Sequence, residues 1–206
     1  MAKIQLIPIN ASNSLQQAMQ AMRQGQVIAI PTDTVYGIAC MIYLPSAIEQ
    51  IYTIKGREST KAIPILIGDI SQLTKVAQEL NSQAKLLADK FWPGALTLVV
   101  ARRSELPIKL SPYPTVGVRM PKHDWLRQLI LTAGPLAVTS ANLSGQPDAT
   151  TAEEVLIQLH GNIKLVIDGG RCAAGIPSTV VDCSTTEVKI LREGAIKAQL
   201  ILDSLR

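Results

Sequence analysis

Apolar and polar positions along this chain recur with two periods, and the switches between them lay out alternating helices and strands. Ser14–Gln24 reads as a helix, with Asn13 or Ser14 available to cap it and Gly25 just past its end. Val27–Ile30 is a short apolar strand stopped by Pro31. Pro45–Ile54 is helical, with proline at its start, and runs into Lys55-Gly56-Arg57; Ile63–Ile67 is strand-like. Two helical stretches follow, near Ser71–Glu79 and over Ser82–Phe91, the second ended by Trp92-Pro93-Gly94. Strands recur at Leu96–Ala101, Val116–Met120 and Leu136–Thr139, with a helix over Asp124–Thr132 between the last two. Thr151-x-x-Glu154 is a capping box that opens a helix to about His160. Leu165–Ile167, Thr179–Val181 and Val188–Leu191 complete the strands, and Ala195–Leu202 is a closing helix.

Helices and strands are interspersed over the whole length, which predicts an α/β (α+β) fold. The strict strand–helix rhythm of a doubly wound fold is missing, so a single domain over residues 1–206 with a twisted mixed β-sheet flanked by helices is expected. A chain of 206 residues suits one domain. At that length it buries about 70% of its unfolded surface and needs no staples.

Composition adds four constraints. Hydrophobic content is 47% and mean hydropathy +0.22, as in a packed globule, but aromatics are only 3%, so the core is aliphatic. No apolar run approaches the ~18 residues of a membrane span, and the N-terminus has no signal-peptide core; a cytoplasmic protein is expected. Cys40, Cys172 and Cys183 are odd in number and irregularly spaced, and His123 and His160 stand far apart, so neither disulfides nor a protein-only metal site is expected. Net charge is +4, all of it in the first half: ten Lys/Arg against six Asp/Glu up to Arg103, and ten against ten beyond. That bias favours phosphate-bearing partners but is modest beside a dedicated nucleic-acid binder.

Familiar nucleotide and nucleophile signatures are absent: no Gly-x4-Gly-Lys-Ser/Thr loop, no Gly-x-Gly-x-x-Gly turn and no Gly-x-Ser-x-Gly elbow. What remains is a set of short polar loops beside apolar strands: Pro31–Gly37, Lys55-Gly56-Arg57 with Lys61 behind it, Thr115–Arg119, Thr139–Gly145, Pro177–Asp182 and Leu191–Gly194. Loops on one edge of a sheet are where ligands bind in α/β proteins. Each also has a structural reading. Lys-Gly-Arg can be a solvated turn, Ser-Ala-Asn a helix cap or Asx turn, Arg119 a side chain reaching water, and Trp92-Pro93-Gly94 a helix stop.

Taken in order, these segments resemble one family. Pro-Thr-x-Thr-x-Tyr-Gly, Lys-x-Arg, Phe-Trp-Pro-Gly-x-Leu-Thr, Val-x-Val-Arg-x-Pro, Ser-x-Asn-x-Ser-Gly, Pro-Ser-Thr-Val-Val-Asp and Arg-x-Gly, from about residue 14 to 195, are similar to the YrdC/TsaC-like threonylcarbamoyl-AMP synthases. The resemblance implies a YrdC-like fold and a nucleotidyltransferase. Such an enzyme condenses L-threonine, bicarbonate and ATP into threonylcarbamoyl-AMP and pyrophosphate, for N6-threonylcarbamoyladenosine in tRNA. It implies ATP as substrate, Mg2+ bound through the ATP phosphates, and a functional link to separate tRNA threonylcarbamoyl-transferase proteins. By the same resemblance Lys55, Arg57, Ser140 and Asn142 form a catalytic tetrad, with Lys55, Arg57 and Asn142 on the nucleotide. Thr34, Arg119, Ser140 and Ser178 are implied at threonine, with Arg119 pairing its carboxylate. Lys61, Thr115, Thr150 and Arg192 are implied as further ATP contacts.

The chain departs from the longer members of that family at Leu66, where they carry a histidine near threonine, and the resemblance is to the short form, expected to lack their extra C-terminal domain. Two rival readings remain. One is a non-catalytic binder of double-stranded RNA or tRNA, favoured by the first-half charge. The other is a family paralogue without synthase activity, or a carbamoyl-transfer relative.

Overall fold

The structure, a computed structural model, describes residues 4–159 and 161–206. Its strands are β1 (Gln5–Pro8), β2 (Ile28–Ile30), β3 (Gly37–Met41), β4 (Ile65–Leu66), β5 (Leu96–Ala101), β6 (Thr115–Arg119), β7 (Leu136–Ser140), β8 (Leu165–Asp168), β9 (Thr179–Asp182) and β10 (Lys189–Arg192). They form one sheet in the order β1-β8-β2-β3-β7-β4-β6-β5-β9-β10. The pairs β1/β8, β2/β8, β4/β6 and β5/β9 are parallel and the others antiparallel, so the sheet is mixed, as the broken strand–helix rhythm predicts. The helices are α1 (Ser14–Arg23), α2 (Pro45–Lys55), α3 (Ser82–Phe91), α4 (Asp124–Ala133), α5 (Ala152–Leu159) and α6 (Ala198–Asp203). No helix among the described residues is long and apolar enough to cross a membrane.

Alternate residues of each strand feed two cores, because successive side chains point to opposite faces. On one face Ala29, Ile38, Cys40, Ile65, Leu98, Val118 and Ala137 pack with Ile48 and Ile51 of α2 and Leu87 of α3. On the other, Ile28, Ile30, Ala39, Leu136 and Val138 pack with Met19 and Met22 of α1 and Leu126, Leu129 and Ile130 of α4. Strands covered on both faces read as unbroken apolar runs, which is why β2 and β7 were legible in the sequence. The second cover does not extend over β5, β6 and β9, whose side chains on that face belong to neither core. That uncovered face positions the site. Ile38 is fully buried in the first core, so Ile38→Ala should cost about 3 kcal/mol, read by calorimetry as a Tm roughly 6–12 °C lower at this length.

Four expectations need correcting. Strands β1 and β3 were not foreseen: β1 is a mostly exposed outer strand ending in proline, and β3 opens on glycine and carries alanine, both poor strand formers. The stretch near Ser71–Glu79 forms only a short 3-10 turn, Ile70–Lys75. Its continuation is drawn into backbone pairing beside β5, with Gln78 N–H donating to Ala101 O (2.9 Å) and Arg103 N–H to Val76 O (3.1 Å). The capping box is half formed: Thr151 Oγ1 accepts from Glu154 N–H at 3.3 Å, but the Glu154 carboxylate takes the Thr150 N–H (2.6 Å) instead. That helix is described to Leu159, and His160 lies outside the described residues. Helix α6 starts three residues late, because Ala195 and Ile196 donate backwards to Pro177 O (2.9 Å) and Thr179 Oγ1 (3.0 Å).

Candidate active site

A cavity of about 320 Å³ opens on the uncovered face of the sheet. Its floor is made by residues that alternate with core residues along their strands: Thr97 and Val99 of β5, Gly117 and Arg119 of β6, Val180 of β9, Leu66 of β4 and Val138 of β7. The polar loops supply the walls, with Thr32 and Thr34 on one side, Ser140 and Arg57 on another, and Ser178 and Arg192 opposite. The ligand space is thus an open sheet face rimmed by loops, not the sheet edge alone. Gly117 keeps that floor low, since a Cβ there would lie 3.1 Å from Thr97 Cγ2.

Of the residues singled out in the sequence, Thr34, Arg57, Arg119, Ser140, Ser178 and Arg192 line the cavity. Arg57 follows the C-terminus of α2, which Gly56 ends in a left-handed conformation (φ 57°). Its Nη1 donates to Thr139 Oγ1 (3.2 Å) and its Nη2 to Ala62 O (3.0 Å), while Nε is buried with no partner. Arg119, at the end of β6, donates Nε to Gly94 O (2.9 Å), Nη1 to Thr34 Oγ1 (2.9 Å) and Nη2 to Asp33 Oδ1 (2.5 Å). Arg192 donates to Ser178 O (2.7 Å), and Ser178 Oγ shares a hydrogen bond with Thr97 Oγ1 (2.8 Å). Burial lowers the pKa of both Arg57 and Arg119, with Asp33 opposing the shift at Arg119. An arginine keeps its charge through such shifts.

Lys55 and Asn142 stand behind the wall. The Lys55 ammonium donates to Ser140 O (2.6 Å), Asn142 O (2.7 Å) and Asn142 Oδ1 (3.0 Å), using all three of its protons. Asn142 Oδ1 also accepts from Ser140 Oγ (2.5 Å), and Asn142 Nδ2 donates to Gln146 O (2.6 Å). Lys55, Ser140 and Asn142 are therefore one bonded unit in which Lys55 clamps the turn after β7, while Arg57 bonds outside it. Lys61, Thr115 and Thr150 do not line the cavity. Lys61 is exposed, Thr115 is half-buried at the start of β6, and Thr150 is bonded to Glu154 and to Arg171 Nη1 (2.7 Å).

Sequence reasoning missed four participants. Thr97 and Thr139 sit inside recognised segments but look like ordinary strand residues. Gly94, read as part of a helix stop, offers its carbonyl to Arg119. Asp33 was passed over as the variable position between Thr32 and Thr34, yet it carries the carboxylate nearest Arg119. Gly194 shapes the wall: a Cβ there would lie 2.2 Å from Pro177 O and 2.6 Å from Ser178 C. Gly194→Ala should therefore displace Ser178 and lower kcat/KM at least about tenfold, since misplacement by about 1 Å can cost up to ~100-fold. A steady-state assay with a parallel melting curve separates this from unfolding.

Comparison with known proteins matches this geometry to a family. A Bacillus subtilis protein named threonylcarbamoyl-AMP synthase is 40% identical over 191 residues, covering 90% of this chain and 54% of its own. The chain thus spans about half the length of the curated relatives it matches first. Pyrococcus abyssi Sua5, solved in complex with L-threonine, superposes with a TM-score of 0.92 at 34% identity over 98% of this chain and 60% of that one. Escherichia coli YciO superposes with a TM-score of 0.84 at 26% identity, over 97% and 98%. The pattern that defines the Sua5/YciO/YrdC family, described as telomere recombination, matches residues 20–194, and the chain belongs to that family.

Proposed function

We propose that this chain is a threonylcarbamoyl-AMP synthase, making threonylcarbamoyl-AMP and pyrophosphate from L-threonine, bicarbonate and ATP. The observation that carries the reading is the charge of the cavity. Its charged lining residues are Arg57, Arg119 and Arg192, no carboxylate lines it among the described residues, and Arg57 Nε is buried with its proton unmatched. Buried donors are rarely left unpaired unless a ligand or water takes them. Such a cavity is built for anions, and the reaction brings two to it, a carboxylate and a triphosphate.

In this reading Arg119 takes the threonine carboxylate with the two N–H groups that have no partner among the described residues. Thr34 and Ser178 stand beside it for the hydroxyl and the amine. The threonine amine and bicarbonate join as a carbamate, losing water. A carbamate oxygen then attacks the α-phosphorus of ATP, and pyrophosphate leaves with the electron pair of the broken P–O bond. Arg57 and Arg192 absorb charge that builds on the phosphate oxygens. Lys55 acts through the turn it clamps, holding Ser140 towards threonine and Asn142 towards the nucleotide. No enzyme nucleophile takes part, since the step asks for two anions held in line and charge absorbed at the phosphates.

Lys61, Thr115 and Thr150 are proposed as outer ATP contacts, reached only by the parts of the nucleotide that extend beyond the cavity. Mg2+ fits here only as a companion of ATP held by phosphate oxygens, because no group of three or more metal-binding side chains occurs among the described residues. Delivery of the product to tRNA threonylcarbamoyl-transferase proteins in the cytoplasm belongs to the same proposal. The test is pyrophosphate release from ATP with threonine and bicarbonate each present or omitted. Release is expected only with both, and to weaken when serine replaces threonine. Absence of release under every combination would overturn the reading.

A further inference from the structure

Three arginines line one cavity, yet only one of them carries a counter-charge. Asp33 Oδ1 lies 2.5 Å from Arg119 Nη2, and the two side chains are 12% and 7% exposed. Every other ion pair among the described residues joins side chains at least two-fifths exposed. Asp33 is not a cavity residue: it bonds to Arg119, which forms part of the cavity floor. Its own backbone is anchored, with its carbonyl accepting from Ala174 N–H (3.1 Å), and the next carbonyl, of Thr34, accepting from Gly175 N–H (2.9 Å). Arg57 and Arg192, by contrast, bond only to hydroxyl and carbonyl oxygens among the described residues.

We propose that Asp33 is a positioning and anion-sorting residue, which reserves Arg119 for the single carboxylate of the amino acid and leaves the phosphates to Arg57 and Arg192. This rests on the synthase reading. First, a guanidinium offers five N–H donors in a fixed plane. Asp33, Thr34 and Gly94 hold three of them, so the plane cannot turn and the remaining two are presented in one orientation. Second, a buried carboxylate next to Arg119 neutralises much of its charge at short range. A triphosphate or pyrophosphate, with several negative charges, gains more from the uncompensated Arg57 and Arg192. A monoanionic carboxylate gains mainly from the geometry of two parallel donors. Without that difference, the more highly charged substrate and product would compete for the amino-acid end of the cavity.

The experiment measures binding of L-threonine by titration calorimetry, with and without inorganic pyrophosphate, to the full chain and its Asp33→Asn and Asp33→Glu variants. ATP KM is followed in parallel. Wild type is expected to bind threonine with little interference from pyrophosphate. Asp33→Asn keeps the shape and removes the charge. It should let pyrophosphate compete against threonine, while ATP KM stays within about threefold. Asp33→Glu restores the charge at a longer reach, and should exclude pyrophosphate again even where the longer reach lowers threonine affinity. A purely structural aspartate would weaken both variants without creating competition, and that result overturns the proposal. So does Asp33→Asn binding threonine without interference from pyrophosphate. Should Asp33→Asn fail to fold, Asp33→Ser takes its place: pyrophosphate competition against threonine there upholds charge sorting, and its absence overturns it. Failure of wild type to bind threonine strikes the synthase reading itself, and with it this one.

Discussion

Arg57→Ala should lower turnover at least about 100-fold, about 2.7 kcal/mol in the barrier, while the fold survives. The size follows from what Arg57 does and does not touch. Among the described residues its side chain makes two hydrogen bonds, to Thr139 Oγ1 and Ala62 O, and its Nε proton is buried without a partner. Removing the side chain thus frees one hydroxyl and one carbonyl beside a water-accessible cavity, a small loss of stability. In the proposed reaction it also removes a cation from the place where charge would develop on the phosphates, in surroundings that magnify its effect. Arg57→Lys should fall between, retaining charge but losing the planar fork. The measurement is kcat for pyrophosphate release, alongside a melting curve. An alanine variant within threefold of wild type would remove Arg57 from the mechanism.

Lys55→Met should act on both stability and turnover. The methionine fills much of the same volume but leaves Ser140 O, Asn142 O and Asn142 Oδ1 without their shared donor. Stranding buried acceptors costs about 1–3 kcal/mol, so Tm should fall by roughly 2–12 °C at this chain length. Turnover should fall further than stability, since the turn that loses its clamp carries Ser140 and Asn142. The pH dependence sharpens the test. Burial and the nearby Arg57 guanidinium push the Lys55 ammonium down to about 8. An unfolded lysine holds its proton to about 10.4, so between those values unfolding takes up a proton and this group's contribution to stability rises with pH. The neutral amine, however, has two protons for three acceptors and loosens the clamp. Turnover should therefore decline as pH passes about 8, while Tm does not decline on account of this group. A parallel fall of both would point to general unfolding instead.

How much of this was legible beforehand depended on which force shaped each segment. Helices α2, α3 and α4 and strands β5 and β7 were read to within a residue or so, because each pairs an apolar pattern with a clear stop: Gly56, Trp92-Pro93 or Gly134. Strands β1 and β3 escaped because pairing with distant partners, not their own residues, makes them strands. The charged wall was partly legible, since Arg57, Arg119 and Arg192 each end or follow an element. Asp33 was not, because its importance lies in a contact with Arg119 across the fold. The division of labour in the tetrad was hidden for the same reason: nothing in Lys-x-Arg says that the lysine turns inward to carbonyls while the arginine faces the cavity.

The strand order carries one more consequence, for the route by which the chain folds. Gln5 lies opposite Leu165, Ala29 opposite Val166, and Leu96 opposite Thr179. Among the described residues the first strand thus has its one partner, and the second and fifth strands one of their two, in the last fifth of the sequence. Contacts between segments so distant along the chain are slow to form, because the closure entropy of the long loop is lost before the contact rewards it. A nascent chain still lacking its final segments has hairpins such as β2/β3 to build on, but no way to close the sheet. Acquisition of the native state is therefore expected to wait for strands β8 and β9, the latter extending the sheet beside β5 directly after Ser178.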